Sequence, residues 1–257
     1  MKIVIIGAGN QATHLSLALH QAGHEILQVY SRTEESASAL TSLIRASHTT
    51  ELTKINDEAE LYIYAVIDSA LADLMEVKFG LEAIHVHTAG SVSMDVFKGH
   101  RKYYGVIYPL QTFSKKRAVN FSEISLFVEG NDSTVVDQLL LLASTISNHR
   151  YELNSEQRMK MHLSAVFCCN FVNYFYGIAY QQIKEYSVPF DVLIPLIRET
   201  ADKMLELTPY EAQTGPARRN DIHVMEKHLT LLNNHPEWQQ LYNQLSKMII
   251  NEYLHKP

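Results

Sequence analysis

Cysteine is nearly absent from this chain: there are two, Cys168 and Cys169, and they are adjacent. Neighbouring cysteines make a poor structural crosslink, so a disulfide framework is excluded. Basic charge is also scarce. Twenty-two Lys and Arg stand against 28 Asp and Glu, for a formal net charge of −6. No long basic cluster occurs, which argues against nucleic acid as the main partner. No uninterrupted apolar run reaches the ~20 residues of a membrane-spanning helix. The richest stretch, 161–180, is interrupted by His162, Ser164, Asn170 and Asn173. It reads as a helix that is apolar on most faces and buried inside a large assembly, so a membrane is not an expected partner. Met1-Lys2 runs into apolar residues and then glycines, unlike a secretory leader, and a soluble cytoplasmic protein is expected. Repeats and low-complexity linkers are absent too. What is present is hydrophobic residue, 46% of 257, enough to bury a sizeable core in one large domain or two smaller ones.

The most informative segment is the first. Ile3-Val4-Ile5-Ile6 is an apolar run that leads into Gly7-Ala8-Gly9-Asn10-Gln11-Ala12 and then into a helical pattern. A buried strand feeding a G-x-G-x-x-A turn and a helix is the context that dinucleotide binding requires. Gly7 permits the tight turn, Gly9 lets the backbone approach a pyrophosphate, and Ala12 allows close helix–strand packing. The helix N-terminus, from Asn10 and Gln11, offers free N–H groups and partial positive charge. The alternative is an ordinary strand-to-helix turn.

The next strand, residues 25–30, bears on cofactor choice. A site for NAD places an acidic residue near its end, to bind the ribose 2′-hydroxyl. Here Tyr30 and Ser31 occupy that region, followed by Arg32 and Thr33. A guanidinium among hydroxyls suits a 2′-phosphate, so NADP is the expected cofactor. Otherwise Arg32 is a solvated loop charge.

Apolar runs at 3–6, 26–30, 61–67, 84–86, 104–107 and 125–128 alternate with helical patterns such as 10–22 and 33–46. That alternation predicts an α/β domain of Rossmann type, a parallel sheet with helices on both faces. Asp68-Ser69 is positioned to cap a helix. A short strand at 150–153 closes this domain, giving a nucleotide-binding unit over 1–153. From Asn154 the pattern becomes helical. Asn154-Ser155-Glu156-Gln157 supplies capping residues, and a long helix runs to about Tyr186. Further helices fit 190–207, 221–233 and 236–254, with breaks at Pro189, Pro209, Gly215-Pro216 and Pro236. An all-α domain over 154–257, for substrate and dimerisation, is therefore expected.

Several segments carry a resemblance. These are His87-Thr88-Ala89-Gly90-Ser91, Tyr108-Pro109-Leu110-Gln111-Thr112-Phe113, His162-Leu163-Ser164-Ala165-Val166 with Asn170, Thr214-Gly215-Pro216-Ala217-Arg218-Arg219-Asn220-Asp221, and His228. Together they resemble a bacterial family carried under the name NADP oxidoreductase. That family has a Rossmann-like N-terminal domain and a helical C-terminal domain of unknown function. It lies in the 6-phosphogluconate dehydrogenase-like superfamily, with pyrroline-5-carboxylate reductase and the deazaflavin-dependent NADP reductases. The likeness spans nearly the whole chain. Tyr108 stands where the family has histidine, Ala89 where it has serine, and Asn220 where it has glycine. The catalytic lysine motif of the superfamily's hydroxyacid dehydrogenases is not matched around Lys160, and that role is not carried over.

The resemblance implies an NADP-dependent oxidoreductase acting on a small imine, ketone or alcohol. The competing reading is a non-catalytic NADP-binding sensor or scaffold. Hydride transfer asks the protein to orient the substrate and manage one proton. His162 is the candidate donor, because the resemblance turns the long helix toward the nicotinamide; Asn170 is its companion. At 100° per residue, His162, Val166, Cys169 and Asn173 share one stripe, with Asn170 at its edge. Otherwise His162 is a buried, structurally satisfied ring. Thr88, Ala89 and Gly90 follow a strand at the sheet's carboxyl edge, where such sheets bind ligands, and are expected beside the nicotinamide. Val66 and Ile67 line the cofactor from the other side. Gln111 and Thr112 are expected at the substrate pocket wall, and Thr214, Gly215 and Arg218 as a substrate anchor; an arginine suits a carboxylate. Superfamily relatives imply a homodimer. Despite 13 histidines, no metal site is expected, since His85 and His87 lack neighbouring Cys, Asp or Glu ligands.

Overall fold

Alternating side chains of strand β1 (Lys2–Ile6) place Ile3 and Ile5 in one core and Val4 and Ile6 in another, all fully buried. A strand buried on both faces is the centre of a covered sheet. The computed structural model describes residues 1–254 and divides at Asn170/Phe171 into two compact units.

The first unit holds an eight-stranded sheet in the order β3-β2-β1-β4-β5-β6-β7-β8. Its strands are β2 (Glu25–Tyr30), β3 (Ser47–Thr49), β4 (Leu61–Tyr64), β5 (Ile84–His87), β6 (Tyr103–Pro109), β7 (Leu126–Gly130) and β8 (Arg150–Glu152). All neighbours run parallel except β6 and β7, which are antiparallel. The expected parallel sheet thus carries one antiparallel pair. β6 and β7 are joined by residues 110–125, an irregular strap with one short 3₁₀ turn.

One face carries helices α1 (Asn10–Gln21), α2 (Glu34–Ile44) and α3 (Ser133–Ser144), whose Leu15, Leu19, Leu40, Ile44 and Leu139 pack over Ile3, Ile5 and Val86. On the other face, the helix expected after Asp68-Ser69 is replaced by 3₁₀ turns at Asp68–Ala70 and Ala72–Glu76. They press Leu71, Leu74 and Met75 onto Val4, Tyr62 and Tyr64. Asp68 does not cap a helix; its carboxylate accepts from the Ser91 hydroxyl instead.

Helix α4 (Ser155–Ala165) opens on a capping box between Asn154 and Gln157. Its first turn is tied to the sheet. Glu129 of β7 accepts from the Ser155 backbone N–H at 2.7 Å and pairs with Arg158, which is 1% exposed. A carboxylate at a helix N-terminus also meets the helix dipole favourably.

A π-helical turn, Val166–Phe171, then leads into α5 (Val172–Lys184). The wider turn breaks the 100° spacing on which the stripe from His162 to Asn173 was drawn, so that alignment ends near Val166. Over Ser155–Lys184 the helix is long and apolar enough, by length and composition, to cross a membrane, and its most apolar window is unburied.

The second unit contains α5 and helices α6 (Ile194–Asp202), α7 (Pro209–Ala212), α8 (Ile222–Leu231) and α9 (Pro236–Leu254). Prolines open or adjoin several of them, at Pro195, Pro209 and Pro236, as fits a residue without an N–H in the first turn. Asp221 caps α8, and His228 bonds the Tyr242 hydroxyl of α9 at 2.8 Å.

Candidate functional site

The turn after β1 is built as its glycines predict. Gly7 has φ +118°, and a Cβ there would stand 2.2 Å from the Ala65 carbonyl oxygen, so only glycine lets β1 and β4 close at this point. The Gly7 N–H donates to the Tyr30 carbonyl at 2.8 Å, which ties the turn to the end of β2. Helix α1 begins at Gly9 with no side-chain cap and no acid in its first turn, whereas α3, α4 and α8 are each capped by an Asp or Asn side chain. Its first N–H groups are left for another acceptor, the condition for anion binding at a helix N-terminus.

A cavity of about 740 Å³ opens over this turn, at the carboxyl edge of the sheet. It brings together Gly7, Gly9 and Asn10, then Ser31, Arg32 and Thr33, then Val66 and Ile67. Ser31 is buried, and its hydroxyl faces the Thr33 N–H at 3.5 Å. Arg32 is exposed and, among the described residues, forms no hydrogen bond or ion pair. Lys115 lines the same cavity, with its ammonium 2.8 Å from the Ala8 carbonyl oxygen. With Asp73 the one carboxylate in its lining, the groove therefore offers an uncapped helix start and two cations that form no ion pair among the described residues. Those are donors for a dinucleotide with an added phosphate, and the residues fit NADP(H). A second cavity of about 800 Å³ lies at the opposite edge and is lined by Asp57, Glu58, Glu60, Glu82 and Asp132. That carboxylate set repels phosphates, and the nucleotide groove is placed by chemistry rather than by size.

Gln11 does not line the groove. It exchanges two hydrogen bonds with Thr88, at 3.2 and 3.0 Å, and so fixes the loop after β5 to the start of α1. Thr88 and Ala89 are buried. Gly90 lies against α4: a Cβ on it would come within 2.7 Å of the His162 ring and 2.9 Å of Tyr108. His162 Nδ1 and the Tyr108 hydroxyl are 3.0 Å apart. Burial raises the Tyr108 hydroxyl above its ordinary pKa. The Ser91–Asp68 bond then joins this loop to the segment that carries Val66 and Ile67. The expected residues Thr88, Ala89, Gly90 and His162 thus meet in one place, beside the groove.

The other expected residues have surroundings of their own. Asn170 lies beyond the π turn's first residues and is exposed, and its side chain forms no hydrogen bond among the described residues. Gln111 and Thr112 are exposed and bond one another. Thr214, Gly215 and Arg218 belong to the second unit, where the Arg218 guanidinium stacks 4.3 Å from the Tyr253 ring. Gly215 takes φ +106° in the turn before Pro216. His85 and His87 are fully buried and bonded within the fold.

Tyr108 and Lys115 were missed as site residues. Tyr108 was visible only as a replacement in a family segment. Lys115 had a signal, the run Ser114-Lys115-Lys116-Arg117 following a strand's carboxyl end.

A Rossmann-type sheet bearing a glycine turn, followed by a helical unit, defines the class as a nucleotide-binding oxidoreductase fold. Comparisons with known proteins narrow it. Residues 2–79 match the family described as "NADP oxidoreductase coenzyme F420-dependent", and residues 124–249 match a domain of unknown function, DUF2520. A crystal structure from Bacteroides fragilis, named a "putative NADP oxidoreductase", is 49% identical, covers 97% of this chain and 98% of its own, and superposes with a TM-score of 0.92. The chain belongs to this family of NADP oxidoreductases with a DUF2520 C-terminal domain. The pyrroline-5-carboxylate reductase of Streptococcus pyogenes shares the fold at 14% identity, 98% coverage of both chains and a TM-score of 0.67. So does an imine reductase of Myxococcus stipitatus in complex with NADP⁺, at 13% identity, 98% and 92% coverage and a TM-score of 0.64. No curated protein matches the chain.

Proposed function

We propose that this chain oxidises or reduces a small imine, ketone or alcohol with NADP(H), which supplies or accepts the hydride when bound. The observation that carries the reading is the placement of the Tyr108–His162 pair against Gly90, beside a groove lined by the glycine turn and Arg32. Gly7 shapes the turn, Gly9 and Asn10 offer backbone N–H groups to the pyrophosphate, and Ser31, Arg32 and Thr33 take the 2′-phosphate. Val66 and Ile67 flank the dinucleotide, and Thr88, Ala89 and Gly90 border its nicotinamide end. His162 donates or accepts the substrate proton, and the Tyr108 hydroxyl fixes its ring. Asn170, Gln111, Thr112, Thr214, Gly215 and Arg218 are the pool from which substrate contacts come.

The fold is shared with a pyrroline-5-carboxylate reductase and an imine reductase, an analogy that sets which substrates to try first. Titration calorimetry with NADPH and NADH, followed by NADPH oxidation against a panel of imines, ketones and keto acids, tests the reading. Binding without turnover on any of them favours a cofactor sensor, and no binding sinks both.

The same reading makes the molecule a homodimer in the cytoplasm, where its two exposed thiols stay reduced. Met161, Leu163, Phe167, Phe171, Tyr174 and Tyr180 are exposed along one continuous helical stretch. A second copy covering them would bury on the order of 2,000 Å² or more. A monomeric mass by light scattering at micromolar concentration overturns this.

A further inference from the structure

The strap between β6 and β7 enters the nucleotide groove, and nothing in the glycine motif calls for it. It has almost no regular structure from Leu110 to Asn120, yet it is fastened at several points. Phe113 packs on the core and stacks on Phe121, with ring centroids 6.2 Å apart. His14, buried in α1, stacks on Phe113 at 5.3 Å, and its Nε2 is 2.9 Å from the Ser114 carbonyl oxygen. The next residue is Lys115, whose ammonium donates to the Ala8 carbonyl between the two motif glycines. An ammonium has three donors, and this one uses a single donor among the described residues. Among the described residues it forms no ion pair with a carboxylate, and it shares the cavity lining with Gly7, Gly9, Arg32 and Asp73.

We propose that Lys115 is a phosphate-binding residue of this site, and that it holds the pyrophosphate bridge of the dinucleotide beside the α1 N-terminus. The inference rests on the cofactor reading above. The helix start donates neutral N–H groups, and Lys115 adds a full charge, at a point set by His14 and Phe113. An ammonium serves here as a point charge toward phosphate oxygens, whereas Arg32, at the end of β2, is the group for the 2′-phosphate. The two cations thus divide the cofactor. Arg32 distinguishes NADPH from NADH, and Lys115 acts on both alike.

The test is calorimetric titration of wild type, Lys115→Met and Lys115→Arg with three probes: NADPH, NADH and 2′-AMP, which carries the 2′-phosphate without a pyrophosphate. The expected result is a loss of about tenfold or more for NADPH and NADH alike in Lys115→Met, since a hydrogen bond to a charged group is lost. Binding of 2′-AMP should be unchanged, and Lys115→Arg should recover most of the affinity. Lys115 is exposed, so the folded state should persist; a thermal melt without cofactor checks this. Unchanged dinucleotide binding in Lys115→Met overturns the assignment. Selective loss of NADPH and 2′-AMP overturns it too, and moves Lys115 to the 2′-phosphate. Wild-type protein that binds none of the probes overturns the cofactor reading itself, a failure seen before any variant is compared.

Discussion

The Tyr108 hydroxyl and His162 Nδ1 lie 3.0 Å apart, although one residue ends a strand of the sheet and the other sits on the helix after it. Gly90 makes the meeting possible, because any side chain there would occupy the space of the His162 ring. If His162 manages the substrate proton, His162→Ala should lower kcat by about 10²–10⁴. NADPH affinity should hardly change, since the phosphates bind at the other end of the groove. Tyr108→Phe keeps the ring packing against Phe127 and removes the hydroxyl. It should lower kcat less and shift the pH profile of kcat. A His162→Ala enzyme with full kcat per folded molecule rules out the catalytic role.

On the proposed reading, Arg32 is the residue that tells NADPH from NADH. It stands free at the groove's edge, beside buried Ser31. A charge-assisted hydrogen bond contributes ~1.5–3 kcal/mol. Arg32→Ala should therefore weaken NADPH by about tenfold or more and leave NADH nearly as it was. Equal loss for both in calorimetry refutes the 2′-phosphate assignment.

The ion pair of Arg158 with Glu129 supports the helix that carries His162, one turn further on. The Glu129 carboxylate is 9% exposed and also takes the Ser155 hydroxyl and N–H. Glu129→Gln leaves a buried guanidinium without its counter-charge. Breaking one partner of a buried pair costs about 3–5 kcal/mol, and a denaturant melt should show a loss of that order. A loss under ~1 kcal/mol would place this pair with ordinary surface bridges.

Much of this was legible in the chain because it is encoded locally. The strand, glycine turn and helix from Lys2 to Gln21 follow from adjacent residues, as do the Asn154–Gln157 capping box and the helix breaks at proline. Strand β3 was not legible, since Ser47-His48-Thr49 has no apolar pattern and pairs only because β2 offers an edge. Residues 68–76 carry helical spacing but close as 3₁₀ turns. There the carbonyls of residues 74, 75 and 77 accept from buried Arg101, a partner more than 20 residues away. The site was half legible. Its glycines and Arg32 sit at fixed offsets from strands, whereas Lys115 reaches Ala8 across 107 residues and Tyr108 reaches His162 across 54. Contacts at such separation are set by the strap and by helix docking, which no short window of sequence contains.

His85 and His87 give the fold a dependence on pH. Burial, with the nearby Arg101 cation, holds His85 down at about 4; burial and the Arg158 cation hold His87 at about 3. Their hydrogen bonds agree with neutral rings. His87 Nδ1 accepts from the Ala89 N–H at 3.2 Å, and His85 Nδ1 accepts from Arg101 at 3.3 Å, which a protonated nitrogen cannot do. In the unfolded chain both titrate near 6.5. Below that pH the unfolded state binds more protons than the folded one. Stability is therefore complete above about pH 6.5 and falls as the pH drops toward the folded values, by about 1.4 kcal/mol per pH unit for each ring. Urea midpoints at about pH 7.5 and about pH 5 should differ accordingly. His87→Asn, which keeps a hydrogen-bonding side chain but cannot titrate, should show a shallower decline than wild type. Equal slopes for the two proteins would mean that His87 is charged, or already free to charge, in the folded state.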